Sequence, residues 1–238
     1  MNIAGGGFFD LADDLAFFNS YIPKSSVYFE WGTGTSTLLS VMHVKDTVYT
    51  LDSNKKYQLD VILSSNLFNH YKITGKLICF NIGDSLEVNN VGRAIRSDGE
   101  TKSEFLIRSE PIWRKYVFPF TAFNQIKSID IDLVLIDGRS RIGCALHCFD
   151  KLNDEAIILI HDAYQRSYYS ILEDYYDVHD SNFKLYGSGL KDHYDYIVES
   201  GKNQVKLKRP MEGYGFIALK KKNVPVPDQI FIDKYAKP

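Results

Sequence analysis

The sequence predicts a doubly wound α/β fold built on a mostly parallel, seven-stranded sheet. Three observations predict it. Short apolar runs such as Val27 to Trp31, Asp132 to Ile136 and Ala156 to Ile160 read as strands buried on both faces. Segments of helical periodicity separate these runs, which is the pattern of a parallel sheet with crossover helices. A charged or polar residue follows each of the first five strands, at the edge where ligands bind in such sheets.

The elements follow in order. Phe8, Leu11, Leu15, Phe18 and Ile22 recur at helical spacing and predict a helix over 8–21, ended by Pro23. Val27 to Trp31 is the first strand. Gly32 and Gly34 open a turn, and a helix runs on to about Met42. Thr47 to Leu51, rich in β-branched and aromatic residues, is the second strand. Lys55 to Phe68 is expected to be one helix and Lys76 to Ile82 the third strand. Residues 85–128 break the alternation. No ordinary βα loop is that long, so this insertion before strand four is expected to serve as a lid or a substrate-facing segment. After the fourth strand, Arg139 to Phe149 is helical, Ala156 to Ile160 is the fifth strand, and Tyr164 to Tyr176 is expected to be a helix. Phe183 to Tyr186 and Tyr214 to Lys220 are the expected last strands. The whole chain reads as one domain, with an N-terminal helical segment (1–24) and a C-terminal tail (223–238) laid over the surface.

Composition narrows the function. The chain has 238 residues, 45% hydrophobic and 24% charged, enough for one large α/β core without covalent staples. A net charge of −2 does not fit a polyanion-binding surface, so no nucleic-acid partner is expected. Cys79, Cys144 and Cys148 form no CxxC pair, which excludes a disulfide framework or a zinc ribbon. Cys144, His147 and Cys148 share one helix face and read as core rather than as zinc ligands. Residues 1–18 lack a basic leader, and no apolar run approaches the ~18 residues of a membrane span. A cytoplasmic setting and no membrane partner are expected.

The chemistry is expected at the strand ends. Glu30-Trp31-Gly32-Thr33-Gly34-Thr35-Ser36-Thr37 has two glycines that let a ligand approach bare backbone, with Thr37 in place of a third. Glu30 ends a buried strand, and a carboxylate there needs a partner, such as a ligand's ammonium. Asp52 lies 18 residues beyond Gly34, the place of an acid that accepts from ribose hydroxyls or caps the next helix. Asp84 follows strand three, Asp137-Gly138-Arg139-Ser140-Arg141 follows strand four, and His161-Asp162 follows strand five.

These motifs resemble those of class I S-adenosylmethionine-dependent methyltransferases, over most of residues 26–176. They are most similar to a bacterial-type group with E-W-G-S/T-G-x-S-T, a W-x-x-Y element, I-D-G-R-x-R and a terminal H-D. Here those are Glu30 to Thr37, Trp113 with Tyr116, Ile136 to Arg141, and His161-Asp162. The chain is more distantly similar to metal-dependent sugar and catechol O-methyltransferases. The resemblance implies a Rossmann-like methyltransferase fold and S-adenosylmethionine held by Glu30, Gly32, Thr33, Gly34, Ser36, Thr37, Asp52, Asp84 and Asp137.

A hydroxyl acceptor needs a base or a metal. Asp137, His161 and Asp162 are the expected catalytic residues, with His161 as base or all three as ligands to Mg²⁺ or Mn²⁺. Both 161 and 162 reach one site only if the strand has already ended, because neighbouring strand residues face opposite ways. Arg139, Arg141 and Arg166, with Trp113 and Tyr116, are the expected contacts to a small-molecule or glycan acceptor. Aromatics over 113–123 offer a homodimer surface. The alternatives are another nucleoside-dependent transferase on this fold and a non-catalytic binding or assembly module.

Overall fold

The computed structural model describes residues 12–63, 66–82, 88, 94–163, 167–183, 185, 187–195 and 215–236. The expected contacts Asp84 and Arg166 lie outside them. Seven strands form one sheet: β1 (Val27–Trp31), β2 (Thr47–Asp52), β3 (Leu77–Asn81), β4 (Leu133–Ile136), β5 (Ile157–Ile160), β6 (Tyr176–Ser181) and β7 (Ile217–Lys221). Their order is β3-β2-β1-β4-β5-β7-β6. All neighbours are parallel except β7, which runs antiparallel to both β5 and β6. The chain therefore reverses direction in the sheet between β1 and β4, where β1 lies beside both β2 and β4, and the ligand crevice of such a sheet opens there.

Helices cover both faces. They are α1 (Ala12–Tyr21), α2 (Thr35–His43), α3 (Lys55–Leu63), α4 (Asn66–Ile73), α5 (Lys102–Val117), α6 (Pro119–Ala122) and α7 (Arg141–Lys151), with a short C-terminal helix, Gln229–Asp233. Strand alternation divides the core in two. Tyr28, Val48, Leu133, Leu135 and Leu159 pack with Phe17, Phe18, Val41 and Phe68 of the helices on one face. Phe29, Trp31, Val134, Ile136 and Ile160 pack with Trp113, Tyr116 and the buried side of α7 on the other. Below the strands, the Asp132 carboxylate accepts from the Ser26 N–H at 2.8 Å and ties the start of β1 to β4.

Three expectations need correction. Residues 64 and 65 of the helix expected over Lys55 to Phe68 lie outside the described residues, and helix stands on either side of them, in α3 and α4. The segment read as a helix to Tyr176 is a 3₁₀ helix, Ser167–Asp174, followed directly by β6. β6 thus precedes the strand expected over 183–186. Tyr176 is buried while Asp177 is exposed, a two-residue period that suits pairing with β7. Finally, the insertion supplies α5, which is capped by Thr101 and Glu104 and buries Trp113, Tyr116 and Val117. Trp113 and Tyr116 have almost no exposure, so these two aromatics are core and not surface.

Lys220, Lys221 and Lys222 end β7 in ion pairs with Glu155, Asp154 and Asp177, as a solvated strand end should. No helix among the described residues is long and apolar enough to cross a membrane.

The C-terminal segment locks against α7 at Gly143. A Cβ there would lie 2.8 Å from the Tyr235 carbonyl oxygen and 3.1 Å from Val117 Cγ1. Gly143→Ala is expected to cost about 1–3 kcal/mol by overpacking, measured by urea unfolding, and to speed hydrogen exchange over 229–236. An unchanged midpoint would show that the tail does not brace α7.

Candidate functional site

β1 hands over to the two-glycine loop with its backbone already fixed. Gly32 donates to the Leu51 carbonyl at 2.8 Å and holds φ of +105°, a conformation in which a side chain would be strained. The next residue is bound on three sides. Its N–H donates to Asp52 Oδ2 at 2.9 Å, its hydroxyl meets Thr50 Oγ1 at 2.8 Å, and Gln58 Nε2 donates to that hydroxyl at 3.0 Å. That residue is Thr33. Asp52 also accepts from the Asn54 N–H at 2.7 Å, and Asn54 in turn caps α3, its Oδ1 accepting from the Tyr57 N–H at 2.9 Å. Burial pushes the Asp52 pKa up to about 6 against the pull of those backbone donors. The capping part expected of Asp52 thus falls to Asn54, and Asp52 fixes the loop. A carboxylate has about four acceptor positions, and the backbone donors of Thr33, Asn54 and Ser53 leave capacity for a ligand hydroxyl.

Glu30 is fully buried. Its oxygens accept from Tyr28 Oη at 2.9 Å and Ser36 Oγ at 2.7 Å, and also from Thr37 Oγ1. Thr37 Oγ1 in turn accepts from the Gly34 N–H at 2.9 Å. Desolvation raises the Glu30 pKa to about 7, with the hydroxyls opposing it. The ammonium expected as its partner is therefore replaced by protein hydroxyls. Glu30 ties β1 to the first turn of α2, and with no exposed surface it shapes the loop from behind.

The ends of β4 and β5 converge as their positions predict. β5 stops at Ile160, and Asp162 takes φ of +58°. That turn brings His161 and Asp162 to the same side, and one atom each of Asp137, His161 and Asp162 lie within 4.8 Å of one another. What they gather around is Arg141. Its Nη2 lies 3.1 Å from both Asp137 Oδ1 and Asp162 Oδ2. Its Nε donates to the Gly138 carbonyl at 2.9 Å, and Nη1 to the His161 carbonyl. The side chain is 10% exposed. Arg141 at the first turn of α7 opposes the helix dipole, and these acceptors explain its presence.

Two expectations change as a result. Arg141 is a strut joining two strand ends, not a free contact for an acceptor. Its guanidinium also lies between the carboxylates that a divalent ion would bridge, so the three residues fit a guanidinium and do not fit Mg²⁺ or Mn²⁺.

His161 is likewise committed. Its Nδ1 lies 3.0 Å from Asp137 Oδ1 and its Nε2 lies 3.3 Å from Asp14 Oδ2. Burial alone would lower its pKa, but Asp137, Asp14 and Asp162 outweigh burial and raise it to about 9. A carboxylate on each ring nitrogen favours the imidazolium, and neither nitrogen is turned to an acceptor, so this geometry suits a positioning part better than the expected base role.

Asp14 is the member that sequence reading missed. It is buried in α1, and its other oxygen accepts from Asn182 Nδ2. The signal was its position three and four residues before Phe17 and Phe18, on the same helix face.

Trp113 and Tyr116 also take a different part. Trp113 Nε1 donates to Ser140 Oγ at 2.9 Å, and the Arg139 N–H donates to Tyr116 Oη at 3.1 Å. The two rings stack at 5.0 Å, and Trp31 Nε1 donates to the Tyr116 carbonyl at 2.7 Å. Both are buried braces of the loop 138–140, where Ser140 holds φ of +49°. Their family resemblance is thus carried by packing, not by a surface for the acceptor. Positive φ at Ser140 and Asp162, both non-glycine and both at this rim, marks backbone strain gathered at the site.

The raised pKa of His161 fixes the sign of a pH effect. Stability from a cation held by carboxylates is complete below the free value of 6.5 and is lost as pH rises through about 9. Glu30 and Asp52 are also raised, but they titrate at or below about 7. Between pH 7 and 9 the unfolding free energy is expected to fall by about 2 kcal/mol from this residue, read by urea unfolding. In His161→Gln that fall should vanish. A wild-type curve that is flat over the window would mean that the ring is neutral.

No family model matches the chain. No curated protein matches it. Solved structures do. A methyltransferase-like protein from Silicibacter pomeroyi DSS-3 superposes with a TM-score of 0.59 at 13% identity, covering 100% of this chain and 99% of that one. A tRNA (m1A58) methyltransferase from Aquifex aeolicus gives 0.46 at 11% identity over 90% of this chain and 70% of its own. A precorrin 8w decarboxylase from Methanobacterium thermoautotrophicum gives 0.45 at 13% identity over 92% of each chain. With the strand order above, the end-to-end match to the Silicibacter protein shows that this chain has the Rossmann-like, seven-stranded fold of a methyltransferase-like protein.

Proposed function

We propose that the chain is an S-adenosylmethionine-dependent methyltransferase acting on a hydroxyl of a small molecule or glycan. The observation that carries this reading is the Asp52 carboxylate bound to the Thr33 N–H of the two-glycine loop, beside the point where the sheet reverses. That arrangement sets an acceptor for ribose hydroxyls next to backbone that a nucleoside can approach. Gly32, Thr33, Gly34, Ser36 and Thr37 form or support the cradle, with Glu30 behind it.

The bound cofactor would supply a methyl group on a sulfonium, a good leaving group. The protein's own task is to align the acceptor and to remove its proton. Asp137 and Asp162 are the groups for this. Their side chains are 27% and 17% exposed, so each keeps an edge at the rim. The hydroxyl proton passes to the carboxylate that holds it. Arg141 and His161⁺ act as positioning residues that fix these carboxylates. Arg139 enters the rim loop through its backbone.

One observation favours a second reading, a non-catalytic module on the same fold. The ionic groups at the rim already pair with one another. A shared test separates the two. Calorimetric titration is expected to show S-adenosylmethionine and S-adenosylhomocysteine binding, with a rise in the thermal midpoint. Asp52→Ala should weaken both by roughly tenfold or more, the loss of a charge-assisted hydrogen bond. No binding at millimolar cofactor favours the module, and unchanged affinity in Asp52→Ala removes its ribose role.

Because Arg141 fills the place of a metal, cofactor affinity and any methyl transfer are expected to be the same with Mg²⁺, with Mn²⁺ and with a chelator. Activity restored by metal after chelation would contradict that assignment.

A further inference from the structure

A second hollow opens in the helical layer, away from the strand ends. The last turn of α5, α6, the end of α7 and the C-terminal helix enclose a cavity of about 410 Å³. That is the size of a small-molecule site. His147, one of its lining residues, lies six residues beyond Arg141, roughly 9 Å down α7 from the rim.

The lining divides by character. Phe118, Val226, Pro227 and Ile232 supply apolar surface, and Arg114, Lys115 and Lys151 supply positive charge. The acid among the lining residues is Asp150, which pairs with Lys151. Arg114 pairs with Asp233 at 2.9 Å, with both side chains 38% exposed. Pairs this open hold their partners weakly and can rearrange around a ligand. Lys115 makes no ion pair among the described residues.

His147 is the unusual member. It is 4% exposed, stacked on Phe120 at 5.1 Å and edge-on to Phe118 at 5.1 Å. Its Nε2 is buried with no hydrogen-bond partner among the described residues. Buried polar atoms are nearly always paired, and an unmade bond there is costly. Burial first, then Lys151, lowers its pKa to about 3. The ring is neutral and has one N–H to offer. The cations beside it favour an acceptor that is an anion.

We propose that this cavity binds a small aromatic carboxylate, with its ring against Phe118 and Ile232 and its carboxylate among Arg114, Lys115 and Lys151, within reach of His147 Nε2. The site is independent of the cofactor cradle, so its test needs no cofactor.

The probe is phenylacetate, titrated into the full chain while the histidine ring resonances are followed by NMR. The His147 resonances are expected to move saturably in the millimolar range. Benzylamine, with the same ring and the opposite charge, should leave them in place. Lys115→Gln, at an exposed position, should weaken phenylacetate binding roughly threefold or more, and His147→Phe roughly tenfold. Three results would overturn the proposal. They are no saturable movement, an equal response to benzylamine, and phenylacetate affinity that is the same in wild type and Lys115→Gln.

Discussion

Parallel strands end together, and what ends with them must be neutralised together. At the tips of β4 and β5 this falls to the Arg141 guanidinium, which joins Asp137, Asp162 and the carbonyls of Gly138 and His161. A buried guanidinium is tolerated only where its donors are met. Meeting them dictates much of the rim. It needs β5 to stop at Ile160 so that Asp162 can turn back, and it needs the loop after β4 to coil tightly enough to present a carbonyl. The tight coil in turn needs Gly138, since a Cβ there would fall 1.8 Å from Tyr116 Oη.

The remaining parts follow from that requirement. α5, drawn from the long insertion, lies under the loop and holds Ser140 and Arg139 through Trp113 and Tyr116. α1 closes the other side, where Asp14 completes the charge pairing of His161. Segments from the N-terminal helix and from the insertion thus converge on one edge of the sheet. Across the reversal, β1 and β2 arrange the cradle by a separate set of bonds, centred on Glu30 and Asp52. The two halves meet where Gly32 faces the backbone of Asp137.

Much of this could be read from residues alone. The first strand is Val27–Trp31 as expected, and β4 and β5 differ by a residue at one end, because continuous apolar runs announce buried parallel strands. The Gly loop and Asp52 were legible because their geometry is local. Roles that depend on distant partners were not. His161 looks like a base when only its own strand is considered, but Asp137 holds one ring nitrogen and Asp14, 147 positions away, holds the other. Arg141 looks free until Asp162 turns toward it. Trp113 and Tyr116 read as surface groups because nothing nearby in sequence reveals the packing of α5. β6 was hidden behind a run of tyrosines, since antiparallel pairing with β7 overrides local preference.

The most direct measurement is a crystal structure of the chain grown with S-adenosylhomocysteine. The account predicts the nucleoside over Gly32 to Gly34, its ribose hydroxyls on Asp52 and its sulfur facing Asp137 and Asp162. A complex with the nucleoside elsewhere, or with Asp52 turned away from it, would contradict the account.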